Sequence, residues 1–285
     1  AFFRASSIAS GTISTPYSSA KNYAVGLHIY GDNDSITQSA DTALSGEATF
    51  GVRIDGVEDT FTLNKSITTS GANSIGVGLT FGKNHTINLE ENSSVNATGE
   101  NGIAMSFDFG YNMLLPALYT KGSHTDFYVF RYIFDNEVLD EEIDGALAKE
   151  VNIKGKLSGT KAAIYISENA HVEEINIFNT AEINGDIISN WNSLESYRYQ
   201  TPDMEKPEIA RPCKVNGSEL IHTDPNDVST WYFTNLNFKD GSQYKNGTIN
   251  GDNRLQNTLK LNLFEGTESV MYQHSEDSDI TFDGI

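Results

Sequence analysis

The chain has 285 residues, and its 19 Lys and Arg against 39 Asp and Glu give a formal net charge of −20 at neutral pH. This acidity argues against a nucleic-acid partner, because binding to phosphates needs clustered basic side chains. It also argues against docking on an anionic membrane surface. No apolar run approaches the roughly 18 residues of a transmembrane helix, so we expect no direct insertion into a membrane.

The chain contains one cysteine, Cys213, which excludes an intrachain disulfide and a cysteine-based zinc site. This composition fits a cytosolic protein, and it also fits a secreted bacterial protein that must cross a membrane unfolded. The first residues, Ala1-Phe2-Phe3-Arg4, do not resemble a signal peptide. We therefore expect a fragment of a longer chain.

A short glycine-led phrase recurs along the first part of the chain at intervals of 25, 25 and 26 residues. The four phrases begin at Gly26, Gly51, Gly76 and Gly102. Apolar residues alternate with others in each phrase, which is typical of a strand with one buried face. Second strands are predicted around Ile36, Phe61, Leu63, Ile87 and Leu89, and third strands around Ile67 and Val95.

Three short strands per repeat, without a helical pattern between them, predict an all-β fold, the right-handed parallel β-helix, with about 25 residues per coil. Equivalent inward side chains of successive coils then stack in ladders at the strand spacing of about 4.8 Å. One predicted ladder contains Leu27, Val52, Val77 and Ile103. The neighbouring ladder contains Ile29, Ile54, Leu79 and Met105.

Two stretches interrupt this rhythm, and the pattern resumes after each of them. Residues about 111–145 are rich in aromatic side chains and end in an acidic run. Residues about 191–231 carry four of the six prolines. Residues 1–285 are therefore predicted to form a single β-helix with two loop insertions. Insertions in a solenoid emerge on one side, which is often its functional side.

Seven runs of the repeat region carry a resemblance to a known family. They are GVGLTFGKNH (76–85), ATGENGI (97–103), FDFG (107–110), LSG (157–159), AIYISENA (163–170), INI (175–177) and GDIIS (185–189). In this order and spacing, residues 22–110 and 146–190 resemble the passenger β-helix of Gram-negative autotransporter proteins, which use type V secretion. The closest resemblance is to passengers with a subtilisin-like protease module upstream.

The resemblance implies a location on the bacterial cell surface, or secretion after cleavage. Such a segment lies between an N-terminal functional module and a C-terminal outer-membrane β-barrel of the parent chain, and projects the module from the membrane. It implies the role of a stalk or display scaffold, and a possible adhesin or virulence factor. The two interrupting stretches depart from the usual family pattern.

No catalytic residue is predicted in this chain. It contains no Gly-x-Ser-x-Gly elbow and none of the contexts of a subtilisin-like triad, so we expect no enzyme activity in this fragment. Parallel β-helices also house polysaccharide lyases and hydrolases, for which paired carboxylates are required. The candidate carboxylates are Asp55 with Asp59, Asp32 with Asp34, and Asp108, and the only basic side chain near them in sequence is Arg53.

No metal or cofactor is predicted either. The histidines show no metal-binding spacing, and we expect surface positions for His28 on a strand and His85 in a turn. The acidic runs 32–35 and 276–279 offer oxygen ligands for calcium, but neither matches a known calcium loop. We expect both runs to be solvated turns.

The aromatic stretch is the strongest candidate for binding a partner, a host protein or a glycan, because Tyr and Phe give contact area at little entropic cost. The alternative is that it folds back and caps the coil. Its aromatic residues are Tyr111, Tyr119, Phe127, Tyr128, Phe130, Tyr132 and Phe134. Trp191 and Trp231 bracket the second stretch, and we expect them to anchor it against the coil.

Two hypotheses result. The favoured one is an extracellular autotransporter passenger segment that serves as a β-helical display scaffold. The alternative is a secreted β-helix enzyme, a lyase or glycoside hydrolase, that acts on polysaccharide. An enzyme requires carboxylates and a basic residue that converge on one sheet face, whereas a scaffold is expected to scatter its acidic residues around the turns. We predict the scattered arrangement.

Overall fold

The computed structural model describes residues 2–4, 10–108, 146–167, 170–191, 214–215, 218–219, 232–251, 259–266 and 281–283. These residues form a β-solenoid of about 7 turns with roughly 25 residues per coil, and they contain no helix. Three sheets run along the solenoid, and we call them A, B and C in the order in which each coil visits them. The predicted parallel β-helix is confirmed.

The strands, numbered in chain order, divide among the sheets as follows. Sheet A contains β1 (Phe2–Arg4), β4 (Val25–Asp32), β7 (Phe50–Val57), β10 (Ile75–Leu79), β13 (Ile103–Phe107), β16 (Ala162–Ile166), β19 (Ile187–Ser189) and β23 (Ile249–Gly251). Sheet B contains β2 (Ser10–Ile13), β5 (Ser35–Gln38), β8 (Thr60–Leu63), β11 (His85–Leu89), β14 (Ala148–Ile153), β17 (Val172–Ile177), β22 (Thr234–Phe238), β24 (Leu259–Leu263) and β25 (Thr281–Asp283). Sheet C contains β3 (Tyr17–Ser19), β6 (Thr42–Leu44), β9 (Ser66–Thr69), β12 (Ser94–Ala97), β15 (Lys156–Gly159) and β18 (Glu182–Asn184).

Every strand pair within sheets A, B and C is parallel. The described residues also include one antiparallel pair, β20 (Lys214–Val215) with β21 (Ser218–Glu219). The residues between these two strands are Asn216-Gly217, a dipeptide that favours tight hairpin turns. This pair lies within the proline-rich stretch and outside the three sheets.

The core consists of apolar ladders that run the length of the solenoid. In sheet A one ladder is formed by Leu27, Val52, Val77, Met105, Ile164, Ile187 and Ile249. In sheet B another is formed by Ile36, Phe61, Ile87, Val151, Ile175, Leu236 and Leu261. The members of both ladders are buried, so each coil covers the apolar side chains of the previous one.

The predicted ladders are correct for the first three glycine phrases and wrong for the fourth. Met105 stacks on Val77 instead of Leu79, and Ile103 stacks on Ile75. The cause is the turn between β11 and β12, which takes residues 90–93, whereas the equivalent turn one coil earlier takes only residues 64–65. The longer turn shifts the pairing by two residues, so Gly102 does not occupy the position equivalent to Gly76.

Both interrupting stretches belong to the connection from sheet A to sheet B, which we call the A–B corner. The chain leaves sheet A at the end of β13 and re-enters sheet B at β14, and it does the same between β19 and β22. Strands on either side continue the same sheets in parallel register. The two stretches therefore begin and end at the same corner of the solenoid.

The inward assignment can be tested with Ile54→Asp. Ile54 is fully buried in its ladder, so an aspartate there has no partner for its charge and we expect a loss of several kcal/mol, about half of the stability of a typical domain. The measurement is urea unfolding followed by circular dichroism. Ser35→Asp, at an exposed position of β5, is the matched control and is expected to unfold like the parent. Equal stability of the two variants would show that Ile54 does not face the core.

Candidate functional site

A buried ionic cluster lies on the outer face of sheet A, next to the A–B corner. In β7 the side chains of Arg53 and Asp55 flank the inward Ile54, so both point away from the core. Arg53 pairs in register with His28 of β4, which brings three titratable side chains together from two adjacent coils. His28, Arg53 and Asp55 are 3, 4 and 0 % exposed, so water is nearly excluded from the cluster.

The carboxylate of Asp55 is held at both of its oxygens. Oδ2 lies 2.7 Å from Nε2 of His28, which donates a hydrogen bond, and 3.0 Å from Nε of Arg53. Oδ1 accepts a hydrogen bond from the hydroxyl of Thr80, one coil further on. The oxygen of that hydroxyl accepts a hydrogen bond of 3.0 Å from Nε of Arg53. The cluster therefore joins three successive coils.

These partners decide the charge of Asp55. Burial alone raises the pKa of its carboxyl group, but the Arg53 charge and the hydrogen bonds from His28 and Thr80 outweigh burial and lower the pKa to about 2. Asp55 is thus a fixed carboxylate that balances the charge of Arg53. Because its oxygens are both occupied, its contacts are those of a structural ion pair.

A second polar ladder forms the A–B corner itself. Asp34, Asp59 and His85 occupy equivalent places in three successive coils, each after a residue with positive φ (Asn33, Glu58 and Asn84). The backbone N–H of Asp34 donates to Oδ1 of Asp59 at 2.8 Å, and the N–H of Asp59 donates to Nδ1 of His85 at 3.3 Å. The side chains of Asp59 and His85 thus each satisfy a turn N–H of the preceding coil.

The turns are too tight for side chains at some positions. Gly56 has φ of +116°, and a Cβ at this residue would lie 2.2 Å from the carbonyl oxygen of Gly31. Only glycine both adopts this positive φ without strain and leaves room for the carbonyl oxygen of Gly31. This close approach keeps successive turns of the corner in register.

Asp59 is the unusual member of the corner ladder. It is 1 % exposed, and its Oδ2 has no hydrogen-bond partner among the described residues. Burial is the main cause that raises the pKa of its carboxyl group, and the negative charges of Asp34, Asp32 and Asp55 raise it further, to about 8. Asp59 is therefore protonated at neutral pH.

His85 adopts a defined tautomer beside Asp59. Its Nε2 lies 3.0 Å from the carbonyl oxygen of Phe81 and donates to it, while its Nδ1 accepts the Asp59 N–H. Nδ1 also lies 3.8 Å from Oδ2 of Asp59. The imidazole is thus neutral in this arrangement and fills the corner without adding a charge.

The base of the proline-rich stretch is tied to the solenoid. Trp191, which is fully buried, donates its indole N–H to the carbonyl oxygen of Tyr232 at 2.8 Å. The ring of His171 stacks on Trp191 at 5.0 Å, and Nε2 of His171 donates to the carbonyl oxygen of Phe233 at 3.2 Å. The residues before and after the stretch therefore contact each other, and the prediction that Trp191 is an anchor is confirmed.

Several sequence-based expectations are wrong at this corner. His28 and His85 are buried and hydrogen-bonded, His28 to Asp55 and His85 to Phe81 and Asp59, so neither has a surface position. Asp34 is 1 % exposed, so the acidic run 32–35 is only partly a solvated turn. The expectation that acidic residues scatter around all turns is also wrong here, since Asp55 and Asp59 lie close to Asp34 and Arg53.

Other predicted site residues lie elsewhere. Asp108 follows β13, and its N–H donates to the carbonyl oxygen of Leu79. Trp231 and the seven aromatic residues Tyr111, Tyr119, Phe127, Tyr128, Phe130, Tyr132 and Phe134 lie outside the described residues. Within the described part of the chain, no group of three or more His, Cys, Asp or Glu side chains is arranged to hold a metal ion.

Sequence reasoning missed Thr80 and His171. The signal for Thr80 was its place 25 residues after Asp55, one coil along the same outward row. His171 could have been found in the same way, because it directly precedes a strand that enters sheet B.

Comparison with protein-family models, curated proteins and solved structures finds no match for this chain. In the described ranges there is no helix with the length and apolar character needed to cross a membrane. The case for a function therefore depends on the residues and their geometry.

The pKa of Asp59 gives a pH test. Its carboxyl group keeps its proton in the folded state up to about pH 8 but loses it near pH 4 when unfolded. Since the folded state binds more protons in this window, the free energy of unfolding falls as the pH rises from about 4 to about 8, by up to about 1.4 kcal/mol per pH unit.

Asp59→Asn removes this titration. We expect the variant to be more stable than the parent at pH 8 and its stability to be flatter between pH 4 and 8, as measured by urea unfolding at a series of pH values. Asp41→Asn, at an exposed residue outside the corner, serves as the control and keeps the slope of the parent. A slope that survives in Asp59→Asn would assign the titration to another group.

Proposed function

We propose that this chain is an extracellular passenger segment of autotransporter type, which acts as a β-helical scaffold and displays its two long stretches from one corner. The observation that carries the proposal is that residues 109–145 and 192–231 both interrupt the connection from sheet A to sheet B. A solenoid that concentrates its long connections at one corner is suited to present them to a partner.

The polar clusters at the A–B corner support the scaffold role. The Asp55 cluster and the Asp34–Asp59–His85 ladder direct their hydrogen bonds to adjacent coils. They hold the coils in register at the same corner, in the coils that precede the two long stretches. Their side chains are 4 % exposed or less, so they serve cohesion better than contact with a ligand.

The composition supports export. A chain with a single cysteine forms no intrachain disulfide that would hold it folded before it crosses a membrane. A net charge of −20 gives the scaffold repulsion from its own copies and from anionic surfaces. In this proposal the parent chain supplies an outer-membrane barrel, and the displayed stretches bind a host protein or glycan.

The proposal predicts that the second stretch is dispensable for folding and needed for binding. Trp191 contacts Tyr232, so a short Gly-Ser linker can replace residues 192–231. We expect this deletion variant, fused to a secretion leader and an outer-membrane translocator, to reach the surface of intact bacteria like the parent. An N-terminal epitope tag detected by antibody on whole cells measures this, and binding to host cells is expected to fall.

Two controls make the outcome decisive. The fusion without the translocator is expected to keep its epitope inaccessible on intact cells. The purified deletion variant is expected to keep the β-type circular dichroism spectrum and the cooperative unfolding of the parent. An unfolded deletion variant, or a parent fusion that stays inside the cell, would contradict the scaffold proposal.

A second candidate is the polysaccharide-active enzyme, favoured by the convergence of His28, Arg53 and Asp55 on one sheet face. The scaffold proposal predicts that neutral and uronate polysaccharides incubated with the protein gain no reducing or unsaturated ends. Asp55→Asn separates the two functions. In a scaffold it lowers stability, because Arg53 loses its buried counter-charge, whereas in an enzyme it abolishes a cleavage that the parent performs. Cleavage by the parent that is lost in Asp55→Asn would replace the scaffold proposal.

A further inference from the structure

A half-open cavity of about 370 Å³ lies at the first two coils, on the connection from sheet B to sheet C. Its volume is in the range of small-molecule sites. It is lined by apolar side chains, hydroxyl groups, one amide and one aromatic ring. The residues that matter to its chemistry are Thr12, Ile13, Tyr17, Leu27, Gln38 and Thr42.

Gln38 is a polar residue in an otherwise apolar inward row of sheet B. The inward row of sheet B that contains it is otherwise apolar and consists of Ile13, Gln38, Leu63, Leu89, Ile153, Ile177, Phe238 and Leu263. Gln38 is 1 % exposed. A polar residue at a core position is a local conflict with the fold, and such conflicts concentrate at functional sites.

The amide of Gln38 is only half satisfied. Its Nε2 donates to the carbonyl oxygen of Ala40 and to the hydroxyl of Thr42, both at 3.0 Å. Its Oε1 accepts no hydrogen bond from any described residue. A buried carbonyl oxygen without a donor is destabilising, so the amide of Gln38 stands in this row at a cost to the fold.

The neighbouring ladder is modified at the same level. In sheet C the inward row runs Tyr17, Thr42, Ile67, Val95, Leu157 and Ile183, so a hydroxyl replaces a large apolar side chain beside Gln38. In sheet B the residue that stacks on Ile36 is Gly11, which has no side chain to fill the interior. The polar groups and the missing volume thus coincide in the first two coils.

We propose that this cavity binds a neutral carbohydrate residue. Hydroxyls of the sugar exchange hydrogen bonds with the Thr12 and Thr42 side chains, and the amide of Gln38 holds the Thr42 hydroxyl in place. The apolar C–H face of the ring packs on Leu27 and on the aromatic ring of Tyr17, which is 42 % exposed. Because the cavity lining contains no acidic or basic side chain and the chain carries a net charge of −20, an anionic sugar is disfavoured.

This site is separate from the A–B corner and does not depend on the proposed display function. The corner clusters belong to the connection from sheet A to sheet B, whereas the cavity lies on the connection from sheet B to sheet C. Failure of either proposal leaves the other in place.

Saturation-transfer NMR tests the proposal on the full chain, with glucose, galactose, mannose and N-acetylglucosamine as probes. We expect saturation transfer to at least one neutral sugar and none to glucuronate at the same concentration. Gln38→Leu continues the apolar ladder, so we expect it to weaken binding at least tenfold while its unfolding midpoint stays equal to or above that of the parent. Thr37→Leu, at the outward neighbour on the same strand, is the matched control and keeps the binding of the parent.

Each alternative outcome overturns the proposal. Absence of transfer to all four neutral sugars shows that the cavity does not take carbohydrate. If Gln38→Leu binds the sugar as well as the parent does, the sugar lies outside this cavity. If glucuronate binds as strongly as the neutral sugars, the expectation that anionic sugars are disfavoured is wrong. Transfer to cyclohexanol but to no sugar identifies an apolar site. If Gln38→Leu does not fold, Tyr17→Ala decides in the same way, since Tyr17 is largely exposed and its loss is expected to weaken sugar binding.

Discussion

The in-register stacking of equivalent residues from one coil to the next is the constraint on which this structure depends. Each side chain lies roughly 4.8 Å from the equivalent side chain of the coil before and of the coil after it. A row must therefore consist of side chains that can pack against, or hydrogen-bond to, side chains of the same type. The inward rows solve this with aliphatic and aromatic residues. The outer face of sheet B solves it with a row of amides, in which each member after the first donates to the side-chain oxygen of the previous one at 2.7–3.0 Å. The row consists of Asn88, Asn152, Asn176, Asn237 and Asn262.

Charged residues are accommodated only where neighbouring coils provide partners for them. Asp55 remains ionised because Arg53, His28 and Thr80 lie around it. Asp59 has acidic neighbours instead and remains protonated. Both solutions occur beside the A–B corner, where turn length varies most along the solenoid. The contacts that Asp55 and Asp59 make with neighbouring coils therefore lie at the corner where turns differ most in length from one coil to the next.

The sequence predicted the repeat, the three strands per coil and the apolar rows, because alternation and spacing depend on local residue types alone. It failed at Ile103 and Met105, since the shift of register comes from a longer turn between β11 and β12, which lies outside the glycine phrase. It also failed for His28 and His85. Their hydrogen-bond partners Asp55 and Asp59 lie 27 and 26 residues away, and a single-strand pattern does not contain that information.

Asp59 links folding of the corner to the proton concentration. In the unfolded chain its carboxyl group is ionised at neutral pH, whereas in the folded solenoid it carries a proton, so folding takes up a proton from solvent. That uptake reduces the charge of a chain whose formal charge is −20, at the point where Asp32, Asp34 and Asp55 already crowd together. Protonation of Asp59 therefore lowers the negative charge at the corner where the carboxylates of Asp32, Asp34 and Asp55 act on it.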